Sequence, residues 1–298
     1  MATELIGTVV PTPFGMVRLT CAVFQRSSGL PRSAFYRPIE RAPRNGDAAL
    51  VREIKNVLVK HPRYGYRQVT DRLHKRRLRV NPKRVLRVMR EHALLAKPLR
   101  RPKWRGGRGA TGDLPNLSRF TVSAPDQLWL TDITFVPLRS RWIYLAVLID
   151  AFSRRCIGWE LGSNITTDLT LAALRMALVS RRPKATLIHH SDRGSQYSSA
   201  SYDDLLTEHE IRQSFSRPGT PTDNPICERF IGTLKREEIW ARSYVDMDHA
   251  RTSIADFIAD YNANRSHRSL GKRSPIEFER MYRQAAKGQT PQAILDVP

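Results

Sequence analysis

Cysteine is scarce in these 298 residues: Cys21, Cys156 and Cys227 stand far apart and are odd in number. Neither a disulfide framework nor a paired-cysteine metal knuckle is expected. The sequence also lacks any uninterrupted apolar run near the roughly 20 residues that a bilayer span requires. Residues 1–15 have neither the basic start nor the apolar middle of a signal peptide. The expectation is a soluble, cytoplasmic chain with no membrane partner. Acidic residues are few, 28 Asp and Glu against 50 Lys and Arg, for a net charge of +22. The surplus is segregated: residues 1–120 hold 27 basic against 7 acidic side chains, whereas 121–298 hold 23 against 21. A block of that size fits neutralisation of phosphates; the bland alternative is a solvated basic face or tail.

The basic block carries helical periodicity, which a mere tail does not need. From Asp47, a candidate N-cap, apolar residues recur at Ala49, Leu50, Ile54, Val57 and Leu58 up to Lys60. A turn around Tyr64 and Gly65 precedes a short helix through Val69 and Leu73, and Asn81-Pro82 reads as N-cap and N1 of a third. On that third helix Val85, Leu86 and Met89 form the expected apolar stripe. Lys83, Arg87 and Arg90, with Arg84 beside them, form the expected basic face, suited to nucleic-acid contact. This predicts a helix-turn-helix module over 45–96, after an N-terminal segment 1–44. Residues 97–120 are basic, rich in Gly and Pro and without hydrophobic period, and read as a linker that lets its neighbours move independently.

From Leu128 the pattern becomes that of strands. Three apolar or alternating runs, 128–137, 142–150 and 156–161, predict an antiparallel meander. A dense Leu/Ala/Met helix over 166–181, a strand 185–190, a helix 202–209, a strand 211–215 and a helix from Asn224 follow. The chain is long enough for this core and one or two smaller modules. The predicted class is α/β: a mixed sheet, the three-strand meander plus parallel strands, flanked by helices, with the all-α module in front. The core is placed at 121–245 and a C-terminal helical extension and tail at 246–298.

Three carboxylates stand out. Asp132 interrupts an apolar strand, where an unpaired charge is costly. Asp192 ends another strand just before Gly194, where open sheets present functional groups. Each alone is equally consistent with a salt bridge or a turn contact. Glu228 shares one helix face with Gly232 and Lys235, opposite Ile226, Cys227, Phe230, Ile231 and Leu234. Carboxylates from separate segments suit two Mg²⁺ ions, with open positions for phosphate oxygens.

The motifs Trp129-x-Thr131-Asp132-Ile133-Thr134, Leu148-Ile149-Asp150-x-Phe152-Ser153-Arg154, His190-Ser191-Asp192-Arg193-Gly194-x-Gln196-Tyr197 and Glu228-x-Phe230-x-x-x-Leu234-Lys235-x-Glu237 resemble the retroviral-type integrase core of DDE transposases. The likeness is specifically to the OrfB product of the IS-three family of bacterial insertion sequences. The 35 residues between Asp192 and Glu228 match that family's spacing. Tyr261-Asn262-x-x-Arg265-x-His267-x-x-Leu270-Gly271-x-x-Ser274-Pro275 is similar to its C-terminal motif, and Tyr64-Gly65-Tyr66-Arg67 through Asn81-x-Lys83-Arg84-Val85 to its helix-turn-helix.

The resemblance implies an RNase H-like fold and a nucleoid-associated transposase performing DNA 3′-end cleavage and strand transfer. Asp132, Asp192 and Glu228 would be catalytic and hold two Mg²⁺, with Mn²⁺ as a substitute. Lys235 joins Lys83, Arg84, Arg87 and Arg90 as a DNA contact, and His190, Gln196, Arg265 and His267 are placed in a second shell or beside DNA. The partners implied are element ends, target DNA and further copies of the chain. No His and Cys pairs stand at zinc spacing, so zinc is not expected. Residues 16–37 resemble the junction before the family's core, which implies an upstream-frame fusion partner. The alternative reading is a non-catalytic DNA-binding regulator of transposition.

Overall fold

The computed structural model describes residues 9–12, 15–18, 20, 47–96, 115–117, 121–139, 141–183, 186–217 and 223–286. Most of the expected linker and junction, and the tail beyond 286, lie outside these residues. Two compact units divide the chain, 1–50 and 51–298. The first contains an antiparallel hairpin of β1 (Val9–Thr12) and β2 (Gly15–Arg18), which four-residue strands without a readable period did not announce.

Helix α1 (Ala48–Lys60) crosses the boundary, and within the second unit its residues from Val51 on, with α2 (Tyr66–Lys75) and α3 (Pro82–Glu91), enclose Ile54, Val57, Val69, Leu73, Val85, Val88 and Met89, all buried. Asn81 caps α3 by accepting a 2.8 Å hydrogen bond from the Lys83 amide, and Pro82 sits at N1 with no amide to satisfy. The buried stripe of α3 differs from the expected one. Val88 is buried in the place expected for Leu86, and Leu86 is half-buried. At 100° per residue Val85, Val88 and Met89 form one arc, and Leu86 falls on its flank.

Strands β3 (Leu128–Pro137), β4 (Trp142–Asp150) and β5 (Cys156–Gly162) form the meander. Strands β6 (Ile188–Ser191) and β7 (Arg212–Phe215) extend it in parallel, giving the order β5-β4-β3-β6-β7. This is the RNase H-like mixed sheet. It is covered on both faces, which is why β4 reads as a nearly continuous apolar run. Ile143, Leu145, Val147 and Ile149 pack toward α6 (Pro225–Leu234) and α7 (Met247–Asn264). Ala146 and Leu148 pack toward α4 (Thr167–Arg181) and α5 (Ala200–Glu208). Gly158 allows α4 this close: a Cβ there would lie 2.3 Å from the Ala173 carbonyl oxygen.

The C-terminal region ends in a 3₁₀ turn, Arg268–Leu270, and α8 (Pro275–Ala286). The helical module is bonded to it. Arg72 donates to both oxygens of Asp260 at 2.8 and 2.7 Å, and Lys75 meets Glu277 at 2.9 Å. Gln68 donates to the Ser266 carbonyl at 3.1 Å, while the Ser266 hydroxyl donates to Asp71 at 2.8 Å. These contacts oppose the independent movement expected from the linker. They join residues almost 200 positions apart, beyond the reach of local patterning.

Candidate active site

The sheet register builds the site. Strand β3 pairs with β6 only as far as Leu130, opposite His190, yet runs on to Pro137. Past that point β3 has lost its neighbour on one edge, and a notch opens at the carboxyl end of β6. Asp132 shares the face of Leu128 and Leu130 by strand alternation, under α6. Continuing the register by two residues along both chains sets Asp192 beside it. The Ile133 amide, freed by the end of the pairing, donates to Asp132 Oδ1 at 2.8 Å.

Asp192 closes its turn by accepting a 3.0 Å hydrogen bond from the Gly194 amide. Glu228 is exposed in the first turn of α6. That helix is tied to β3: Asn224 donates 2.9 Å to the Thr131 carbonyl instead of capping its own helix. The Thr131 hydroxyl in turn donates to the Val147 carbonyl at 2.9 Å and lies 3.2 Å from the Tyr197 hydroxyl. Asn224, Thr131 and Tyr197 therefore position the site without bearing its chemistry. Sequence reasoning missed all three, because their partners come from distant segments.

Electrostatics couple the carboxylates. The Asp132 carboxyl is pushed up to about 7, first by burial, then by the charge of Asp192 and less by that of Glu228; the Ile133 amide and Lys235 pull the other way. Burial also raises Asp192, against the Gly194 amide, and Glu228. Lys235 opens a π-helical turn, Lys235–Ile239, and lines with Asp132, Phe135, Trp142, Tyr144 and Trp240 a cavity of about 420 Å³. Burial lowers its ammonium, and Asp132 offsets this in part. Among the described residues no three Asp, Glu, His or Cys side chains are already gathered into a metal cage. The residues nonetheless fit a hard divalent cation: all three donors are oxygens, and burial, then the charges of Asp192 and Glu228, push Asp132 toward its protonated form, which a bound cation opposes.

The remaining sequence candidates fall elsewhere. His190 is buried between two hydroxyls, Nδ1 2.8 Å from Ser214 Oγ and Nε2 3.0 Å from Ser216 Oγ, and burial lowers it to about 4. It is a neutral structural bridge from β6 to the end of β7, not a ligand. Gln196 folds its amide over Gly194, where a Cβ would lie only 2.1 Å from Nε2. Arg265 is buried, ion-paired to Glu237 and stacked 5.6 Å from the Tyr64 ring, and His267 packs 5.1 Å from the Tyr261 ring. Neither lines the Asp132 cavity. On α3, Lys83, Arg84 and Arg90 are exposed, while Arg87 bonds Glu91 at 2.7 Å. Asp150 is a fully buried turn anchor that accepts from Asp126, at 2.8 Å, and from Ser153, whose amide and hydroxyl both donate at 2.7 Å.

Two integrase core domain families match residues 122–221 and 209–275, and an HTH-like domain family matches 45–103. The insertion element IS600 31 kDa protein of Shigella sonnei is 35% identical over 276 residues, 89% of this chain and 99% of that protein. The transposase for insertion sequence element IS904 of Lactococcus lactis is 37% identical over 236 residues, 78% of this chain and 93% of that protein. Among solved structures, the HTLV-2 integrase catalytic core domain in complex with magnesium aligns with 52% of this chain and 97% of that domain, at 16% identity and a TM-score of 0.43.

Proposed function

Because the chain belongs to the IS-three family of insertion-sequence transposases, we propose that it cleaves the 3′ ends of its element and joins them to target DNA, with Asp132, Asp192 and Glu228 as the catalytic carboxylates. The observation that carries this reading is the raised Asp132 carboxyl, held up by burial and by the two acids facing it. A buried carboxylate that two neighbouring acids push toward protonation is stabilised as an anion by a bound cation, and Mg²⁺, or Mn²⁺ in its place, fits the oxygen set of the three side chains. Two such ions, when bound, offset charge on the scissile phosphate and act as Lewis acids toward the attacking and leaving oxygens.

The chain supplies the positioning. The Ile133 amide orients the Asp132 carboxylate, Asn224 fixes the start of the Glu228 helix against β3, and Lys235 sets a cation beside the phosphate path. In-line attack by water gives cleavage, and attack by the freed 3′-hydroxyl gives strand transfer, with no covalent enzyme intermediate. The exposed basic face of α3, with Lys83, Arg84 and Arg90, contacts DNA phosphates, and Arg87 joins it at the expense of its Glu91 pair. Paired ends call for further copies of the chain. Incubating labelled terminal-repeat duplex with Mg²⁺ and then with chelator tests the reading. Metal-dependent nicking at the 3′ terminus is expected in wild type, and its loss with retained binding in Asp132→Asn and Glu228→Gln. A wild-type chain that binds but never cuts, alone or fused to its upstream frame, makes it a regulator instead.

A further inference from the structure

A second cavity, of about 860 Å³, lies on the other side of α6 and shares no lining residue with the one at Asp132. Its walls come from four segments: Gln68 of α2, Arg154 of the turn between β4 and β5, Arg229 and Arg236 along α6 and its π-helical extension, and His267 and Arg268 after α7. No acidic side chain lines it. Acids of the adjoining segments are already engaged: Glu237 with Arg265, Asp260 with Arg72, and Asp150, whose charge reaches Arg154, with the Ser153 amide and hydroxyl. Arg154, Arg229, Arg236 and Arg268 form no ion pair among the described residues.

Two polar atoms of this wall are buried without any partner, Arg154 Nη1 and His267 Nε2. An orphaned guanidinium nitrogen is costly, since burial of a donor forfeits its water bonds. Arg154 is held in this position by its turn, with φ 63°, and by the anchoring of Ser153 on Asp150. The unsatisfied Arg154 nitrogen and three further guanidinium groups around one cavity call for acceptor oxygens carrying negative charge, and the neutral His267 adds a donor there in its Nε2-protonated tautomer. The cavity far exceeds what a single ion fills and opens along α6, the helix whose other face carries Glu228.

We propose that this cavity binds phosphodiester groups of a DNA strand passing behind α6, with Arg154 and His267 as the buried donors and Arg229, Arg236 and Arg268 as the outer contacts. The assignment rests on the DNA-processing reading above. It gives the docking of the helical module a purpose, because Gln68 completes the wall only while α2 is bonded to Ser266. A strand held there loads α6 from behind and steadies Glu228 on its opposite face.

The test uses the full chain carrying Asp132→Asn, so that binding is read without cutting and independently of whether the chain is a transposase. Anisotropy of a labelled duplex of arbitrary sequence is followed over a series of salt concentrations. Arg229→Ala with Arg268→Ala, both exposed positions, is expected to weaken binding about tenfold and to reduce the salt slope by roughly 1.8, about 0.9 for each phosphate no longer neutralised. Arg154→Gln is expected to weaken binding as well, with its thermal melting checked to establish that the variant is folded. Unchanged affinity and slope in the double variant overturn the proposal. So does a result in which inorganic phosphate raises the melting temperature of the chain but not that of Arg154→Gln, while DNA affinity stays constant in every variant; the cavity is then a site for a free anion.

Discussion

The Asn224 side chain reaches the Thr131 carbonyl at 2.9 Å, so the residue that begins the Glu228 helix grips the residue that precedes Asp132. One hydrogen bond across 93 positions thus sets the spacing of two carboxylates on different elements. Asn224→Ala leaves that buried carbonyl without its donor, at a cost of about 1–3 kcal/mol. A displacement of the helix by about 1 Å is expected to lower strand cleavage about 100-fold. Single-turnover cleavage, compared with duplex affinity, checks this: affinity should hold while the rate falls. Equal loss of both would point to general unfolding.

The raised Asp132 carboxyl makes stability depend on pH. Its ordinary value is near 4 and its folded value about 7, so the folded chain prefers the protonated form. The stability this contributes is complete below about pH 4, falls as pH rises through the interval, and is gone above about pH 7. Asp132→Asn removes the decline. In chelator, the variant should melt higher than wild type at about pH 8, by a few degrees, and differ little at about pH 4. A variant that melts lower at the upper pH contradicts the assigned environment of Asp132.

Much of this architecture is readable from the chain alone, for identifiable reasons. Strand β3 is legible at both ends because ten residues of strand-forming character end at Pro137 and a short basic turn. Asp132 stands out because a carboxylate amid such a run demands an explanation, whereas the bridging of His190 is hidden, since its partners Ser214 and Ser216 lie 24 and 26 positions away. The hairpin Val9–Thr12/Gly15–Arg18 is not legible, since four residues are too few to show alternation. The grip of Asn224 hides behind its look of a helix cap, and the second cavity assembles from four segments that no spacing links.

The pairing of Arg72 with Asp260 predicts that the helical module melts together with the C-terminal helices. Arg72→Ala and Asp260→Ala should each destabilise the chain, and a double-mutant cycle in urea should give a coupling of about 1–2 kcal/mol for this partly buried pair, in which one guanidinium nitrogen serves both carboxylate oxygens. A coupling near zero would mean that the contact orders the module without stabilising it.

Lys235 favours the ionised form of Asp132. Lys235→Gln should therefore move the acid limb of the pH–rate profile to higher pH, and flatten the salt slope of DNA binding by about one. An unmoved acid limb with a flattened slope would confine Lys235 to phosphate contact.

The central claim, that Asp132, Asp192 and Glu228 hold one set of catalytic metal ions, is tested most directly by replacing each in turn with cysteine. Thiolate is a poor ligand for Mg²⁺ and a better one for the softer Mn²⁺. All three variants are predicted to be inactive in strand cleavage with Mg²⁺ and to recover measurable cleavage with Mn²⁺, while the matching alanine variants stay inactive with both. Cysteine variants that cleave as well as wild type in Mg²⁺, or alanine variants that recover equally in Mn²⁺, would contradict the assignment of these carboxylates as ligands.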